Sequence, residues 1–508
     1  MAAIAAAAPP SHATTPPSPL RADTLLDGAG LVADVDLLER AWTQLHPGLH
    51  RYSTPEQMQA RFEATRRELK GGATLAQAYL AFSRLAATVR CGHTYANFYN
   101  QSKPVQAALF EQGGHLPFHF LWRDGRMVVT ANGSGDASLI PGTVITRVNG
   151  IDTSDLLAAL LTVARADGGN DAKRIAQMQV QGDDRIEAFD VFLPLLFPGM
   201  AQGYELRVQR PGETSPGDVH VDGLDPAGRR AMAAPVAEDP AAPAWTLDLA
   251  DPQLAVLRMP GWALYDSQWD WKAFLARSFE TLVRDEVPAL VIDLRGNEGG
   301  LSVGDVLLSR LASGTVTMPR VRHEVRYRKV PDDLLPHLDT WDDSFRDWGD
   351  QAVPSRPGFY TLTRWHAADG SESIAPVAPR YAGKVFVIIG PTNSSATFEF
   401  ARQVRASGLA TLVGQPTGGN RRGINGGAFF FLRLPNSGLE LDVPLVGQFP
   451  VADEPDAGVE PDVRVAPTDD DIAAGRDAEM AAIRVRLGAG LPSPGPDQDG
   501  KNQSARSR

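Results

Sequence analysis

The stretch Ala289-Leu290-Val291-Ile292-Asp293-Leu294-Arg295-Gly296-Asn297-Glu298-Gly299-Gly300 sets the architecture of the C-terminal half of the chain. Ala289–Leu294 is a short apolar run without alternation. Such a run suits a strand covered on both faces of a parallel sheet. It leads directly into a glycine-rich turn, and the apolar spacing of Val303–Leu311 predicts a helix after it. Glycines in that position let backbone N–H groups converge on one anionic spot. Read alone, the turn is equally a tight connection with no ligand.

The same pattern returns downstream. Lys384–Ile389 is a second apolar strand. It reaches the turn Gly390-Pro391-Thr392-Asn393-Ser394-Ser395-Ala396-Thr397-Phe398-Glu399-Phe400-Ala401, with a helix over Ala396–Ser407 and a strand at Ala410–Val413. Leu254–Met259 reads as a further strand and Trp269–Arg284 as a helix. Residues 246–487 therefore form an αβ domain with parallel strands. A serine that begins a helix is often only its N-cap, and that reading applies to Ser394 and Ser395 alike. The same position also suits a nucleophile, because a helix N-terminus and its free amides stabilise developing negative charge.

Upstream segments differ in character. Residues 1–28 are a Pro- and Ala-rich leader, expected to be disordered. Apolar residues at helical spacing (Leu37, Leu38, Trp42, Leu45; Leu75, Tyr79, Leu80, Phe82, Leu85) predict a helical domain over 29–104. Residues 105–212 combine short strands, an Asn149-Gly150 turn, a helix from Ser154 and a strand at Tyr204–Gln209. That order resembles a PDZ-like module with a helical insertion at 165–200. PDZ-like modules bind extended peptides by strand addition. An ordinary small αβ domain is the plainer reading. Residues 213–245 read as a linker and 488–508 as a disordered tail.

Taken together, the two glycine- and serine-bearing turns resemble the tail-specific (C-terminal processing) serine proteases. That family carries an Asp-Leu-Arg-x-Asn-x-Gly-Gly turn, matched at Asp293–Gly300, and a later Ser-Ala-x-x-Glu turn, matched at Ser395, Ala396 and Glu399. Gly414-Gln415-Pro416-Thr417-Gly418-Gly419, Leu434-Pro435 and Gly458-Val459-Glu460-Pro461-Asp462 extend the likeness over roughly residues 30–485. The resemblance implies a multidomain α/β protein with a crotonase-like (spiral) αβ core. It implies hydrolysis of peptides or unfolded proteins through an acyl-enzyme on Ser395. Its oxyanion hole would be the amide of Gly299 or Gly300 with that of Ala396.

One departure is decisive. Family members use a Ser–Lys dyad whose lysine follows the serine by 25 residues, and here that residue is Asn420. The only lysine beyond Ser395 is Lys501, in the tail. A serine needs a base to attack at neutral pH. The tricorn-core branch takes a histidine from an N-terminal segment, and Arg90-Cys91-Gly92-His93-Thr94-Tyr95 is similar to that segment. His93 is therefore the expected base, with an activity limb near an ordinary histidine pKa of about 6 to 7. Its acidic partner would come from Asp453, Glu454 or Asp456, with Glu454 preferred.

Competing readings stand beside this one. Gly300-Leu301-Ser302-Val303-Gly304 fits the Gly-x-Ser-x-Gly elbow of an α/β-hydrolase-like esterase. Its serine falls several residues past the strand end, and the last histidine, His366, has no triad-like context. A non-catalytic relative that binds apolar ligands, or a crotonase-like acyl-transfer enzyme, are the others. The latter would need a basic surface for its carrier, and none is visible.

Bulk properties narrow the field. The chain has 508 residues and a formal net charge of −12, which disfavours nucleic acid and anionic membranes. Its single cysteine, Cys91, rules out an internal disulfide and a cysteine-rich zinc site. No metal-ligand spacing or phosphate loop occurs, so no cofactor is expected. No apolar run reaches a membrane-spanning length. Ala2–Ala8 followed by Ser11-His12-Ala13 reads as part of an export signal, pointing to a periplasmic or secreted protein. A cytosolic protein with an irregular leader is the alternative.

Overall fold

The computed structural model describes residues 19–183, 186–200, 203–233 and 239–488. A short strand β1 (Leu25–Leu26) precedes helices α1 (Gly28–Leu45) and α2 (Pro55–Leu69). Strand β2 (Ala73–Thr74) pairs back onto β1, and α3 (Leu75–Ala87) and α4 (Lys103–Leu109) complete the helical domain. The start signals are local. Asp27 accepts from the amide of Gly30, and reciprocal Thr–Gln boxes at Thr54/Gln57 and Thr74/Gln77 cap α2 and α3. Within the leader range, residues 19–28 are thus ordered, since β1 is paired. The export segment lies outside the described residues.

The middle domain holds β3 (Phe118–Arg123), β4 (Arg126–Asn132), β5 (Val144–Val148) and β6 (Ile151–Asp152). Helices α5 (Thr153–Leu161), α6 (Asp171–Gln177) and α7 (Ala188–Leu196) follow, then β7 (Tyr204–Gln209), β8 (Gly217–Val221) and α8 (Pro226–Met232). The antiparallel sheet runs β3-β4-β5-β7-β8. Asn149 and Gly150 both have positive φ, the requirement of the two-residue hairpin turn that joins β5 to β6. The linker expectation for 213–245 needs correction. Its first part pairs as β8 with β7, alternating buried Val219 and Val221 with polar neighbours, and α8 follows.

The remainder contains β9 (Thr246–Asp251), β10 (Leu254–Arg258), α9 (Trp271–Arg284), β11 (Ala289–Asp293) and α10 (Val303–Leu311). Short strands β12 (Val316–Thr317), β13 (Val321–Val325), β14 (Leu338–Asp339), β15 (Ala352–Pro354), β16 (Tyr360–Leu362) and β17 (Ser373–Ile374) come next. The chain then forms β18 (Lys384–Ile389), α11 (Ser395–Ser407), β19 (Thr411–Gly414), β20 (Asn425–Arg433), β21 (Glu440–Pro450) and β22 (Val463–Arg464). Helices α12 (Asp469–Ala473) and α13 (Ala478–Leu487) close it.

The central sheet has the order β22-β19-β18-β11-β10-β9, parallel except for β9. Every residue of β11 is buried, because apolar clusters cover both faces of the sheet. This is why Ala289–Asp293 shows no alternation. A second, antiparallel sheet, β14-β20-β21-β13-β16-β15, shares one apolar cluster with the helical and middle domains. Polar anchors add to it: Asp34 on α1 accepts from the amides of Asn436 and Ser437, and Asn97 donates to Asp442 at 2.7 Å. The helical domain is thereby packed against the core.

Candidate active site

The two glycine- and serine-bearing turns lie at the ends of neighbouring strands, since Asp293 of β11 pairs with Ile388 of β18. Two asparagines join them. The Asn393 side chain donates to the carbonyls of Leu294 (2.7 Å) and Asn297 (2.9 Å) and accepts from Gly390 N. Asn297 donates to Met259 O at 2.7 Å, and Thr397 Oγ1 donates to Asn297 O at 3.0 Å. Both asparagines are fully buried, so every one of these bonds is shielded from water.

Within this frame the adjacent serines have different fates. Ser394 is buried and its hydroxyl donates to the carbonyl of Glu298 at 3.1 Å. Ser395 opens α11 with φ of +50°, a left-handed backbone that a serine adopts only under constraint. It is half-buried, and its hydroxyl has no hydrogen-bond partner among the described residues. The amide of Ala396 sits at the free N-terminus of the helix. Gly299 is held against it. A Cβ on Gly299, whose φ is +110°, would lie 2.9 Å from both Ala396 N and Ser395 Cβ. The Gly299 amide is spent on Asn297 Oδ1 at 2.9 Å. Among the described residues the amides of Gly300 and Ala396 have no acceptor. Of the two glycines expected to serve an oxyanion, Gly300 is the one with an available donor.

His93 lies in the loop after α3. That loop is fixed on both sides: Gly92 N donates to Asp167 Oδ1 at 2.9 Å, and Arg165 Nη1 donates to Gly92 O. The imidazole tilts against Phe429 with ring centroids 5.6 Å apart, and its Nδ1 is buried without a partner among the described residues. Burial pushes its pKa down to about 4, helped by the cations Arg165 and Lys173 and opposed by Glu298. This lies below the ordinary histidine value of about 6 to 7. His93 is neutral, and able to accept a proton, throughout the neutral range.

Glu298 connects these parts. Its carboxylate pairs with Lys173 and with Arg165 (3.2 Å). Burial would raise its pKa, but the two cations outweigh that and hold it at about 2. Lys173 Nζ also donates to Thr392 O at 3.0 Å, three residues before Ser395. So Lys173 reaches the nucleophile turn through Thr392 O, and Glu298 reaches it through its backbone carbonyl, which accepts from Ser394. Glu454 does not join them. It pairs with Arg421 at 2.6 Å, and no bond links it to His93 among the described residues.

Asn420 stands where the resemblance led to a lysine being expected. It is fully buried and donates to Asp456 Oδ1 (2.6 Å) and Asp167 O (3.2 Å). A Cβ on Gly168 would fall 2.2 Å from its Nδ2, so the backbone at Gly168 packs directly on this amide. Ser302 is exposed at the start of α10, has an ordinary φ of −74° and makes no capping bond. The strained turn expected of a nucleophile belongs to Ser395. Arg165 and Lys173 lie in no motif, so sequence reasoning missed both. Glu298 stood in the variable position of one.

A cavity of about 570 Å³ opens beside the site, rimmed by Glu298, Gly299 and Thr392. Phe98, Val163, Ala164, Met178 and Phe192 give it an apolar wall, drawn from the helical and middle domains.

Residues 253–465 match peptidase family S41. This segment is similar to that family, and the protein is accordingly a serine-type peptidase. No curated protein sequence matches the chain significantly. Among solved structures it is similar to mature CPAF in complex with lactacystin, at 16% identity and TM-score 0.61, over 91% of this chain and 97% of that one. Unliganded mature CPAF gives TM-score 0.57 at 16% identity, over 88% and 94%. At these identities the likeness is one of fold, and it spans all three domains. The photosystem II D1 C-terminal processing protease also matches, at 17% identity and TM-score 0.36, over 86% and 93%. Among the described residues no helix is long and apolar enough to cross a membrane.

Proposed function

We propose that this S41 peptidase cleaves peptide bonds through an acyl-enzyme on Ser395, with His93 as general base. The observation that carries the reading is the strained Ser395, clamped beside Gly299 while Ser394 is spent on Glu298 O. Ser395 Oγ attacks the scissile carbonyl as its proton passes to His93. The oxyanion meets the amides of Gly300 and Ala396. Collapse expels the amine, which takes the proton from His93, and water then releases the acyl group by the same route. Glu298 supplies the negative charge that acts on the imidazole in this resting geometry. Glu454 would have to leave Arg421 to take that role.

Two finer assignments accompany this. The parallel strands β10, β11, β18, β19 and β22 succeed one another in chain order across the sheet, which supports a crotonase-like spiral core. The antiparallel middle sheet with edges β3 and β8 supports a PDZ-like module that captures an extended peptide by strand addition. The apolar cavity at Gly299 is read as the pocket for a substrate side chain next to the scissile bond.

Labelling the full chain with a fluorophosphonate and mapping the modified peptide tests the nucleophile. The adduct is expected on Ser395, with Ser394→Ala and Ser302→Ala still labelled. An adduct on Ser302, or none on a folded protein, overturns the reading. Mature CPAF has been captured with lactacystin, and we propose the same compound as a second reporter of this site.

A further inference from the structure

The segment 165–177, inserted in the middle domain, does not stay within that domain. Asn170 donates to the carbonyls of Thr417 (2.8 Å) and Gly419 (3.1 Å), and Gly169 N donates to Asp456 Oδ1 at 2.8 Å. Gly168 packs onto Asn420 so tightly that a Cβ there would clash. A Cβ on Gly418 would meet Lys173 Cδ at 2.8 Å. The insertion therefore covers the Thr417–Asn420 turn, where related enzymes carry their lysine, and presents a lysine of its own. The Lys173 side chain is 1% exposed. Its ammonium reaches the Glu298 carboxylate and the carbonyl of Thr392.

We propose that the helical insertion supplies the cation that the core has lost: Lys173, with Arg165, fixes Glu298 and the nucleophile turn and sets the charge environment of His93. It acts as a positioning residue and not as a base, because an ammonium shared between a carboxylate and a carbonyl has its protons committed. The inference rests on His93 as the base. The charged groups acting on His93 are Arg165 and Lys173 from the insertion and Glu298 from the glycine turn; Phe429 of β20 and Gly426 flank the ring without charge. Behind them, Tyr95 and Asp442 act on Arg165.

The consequence is a pair of opposite shifts. Loss of a cation leaves Glu298 freer to stabilise the imidazolium, so the acid limb of activity rises in pH. Loss of the carboxylate lowers it. The experiment measures the second-order rate of fluorophosphonate labelling of Ser395 against pH, in full-length wild type, Lys173→Met, Lys173→Arg and Glu298→Gln. Lys173→Met is expected to move the limb up by about one pH unit. Lys173→Arg should hold it, and Glu298→Gln should move it down. If Lys173→Met fails to fold by circular dichroism, Arg165→Met removes the other cation and carries the same expectation. An unmoved limb in a folded Lys173→Met or Arg165→Met protein overturns the proposal. So does loss of labelling at neutral pH in both folded Lys173→Met and folded Lys173→Arg proteins, since that would make the amine itself the base. Full labelling of His93→Ala would instead remove the reading beneath it, so the two failures are separable.

Discussion

Gly299 is the residue at which sequence and chemistry meet most closely. Its φ of +110° and its contact with Ala396 N leave space only for hydrogen. A methyl group there occupies the volume an oxyanion needs. Because the Gly299 amide is itself spent on Asn297, Gly299→Ala acts by crowding the Ala396 donor, and it is expected to slow labelling of Ser395 by about a hundredfold with circular dichroism unchanged. A near-normal rate would show that the anion sits elsewhere. The residues at this scale were legible because their backbone demands are type-specific: a glycine pair, a helix-starting Ser-Ala, a Gly-His loop. What was not legible is which hydroxyl is free and which amide is spent. Ser394 and Ser395 are the same residue type, and the bond from Ser394 to Glu298 O and the positive φ of Ser395 separate their roles. Glu454 was chosen by position alone, and Arg421 holds it.

The parallel strands β11 and β18 were readable as buried apolar runs. The strands β13 to β16 of the antiparallel sheet were not, because they are two to five residues long and show little alternation. Strand β8 hid in a Gly- and Asp-rich stretch whose composition reads as linker, and its pairing with β7 overrides that composition. The insertion helices α6 and α7 were visible as helices, but the docking of α6, through its N-cap Asn170, onto the Thr417–Asn420 turn depends on tertiary contacts. They also wall the apolar cavity, and the half-buried Ala176 of α6 lines it. Ala176→Phe should fill that space. Its kcat/KM is expected to fall about 10- to 100-fold for peptides with Leu, Met or Phe beside the scissile bond. Peptides with Ala or Gly there should be cleaved as by wild type. Equal losses for both classes would take the cavity out of substrate recognition.

Across the whole molecule, the proposed site draws residues from three segments of the fold. The core gives Ser395 and both turns, the helical domain gives His93, and the middle domain gives Arg165 and Lys173. The shared apolar cluster and the Asp34 and Asp442 anchors hold that arrangement. The measurement that tests this account most directly is the pH dependence of Ser395 labelling in wild type and His93→Ala. Wild type is predicted to rise through a limb near pH 4, below the ordinary histidine value, and to stay level from about pH 5 to 8, because the buried imidazole is neutral there. His93→Ala should be slower by roughly a thousandfold with no such limb. A folded His93→Ala protein that labels at the wild-type rate, or a wild-type limb near a lysine pKa, would contradict it.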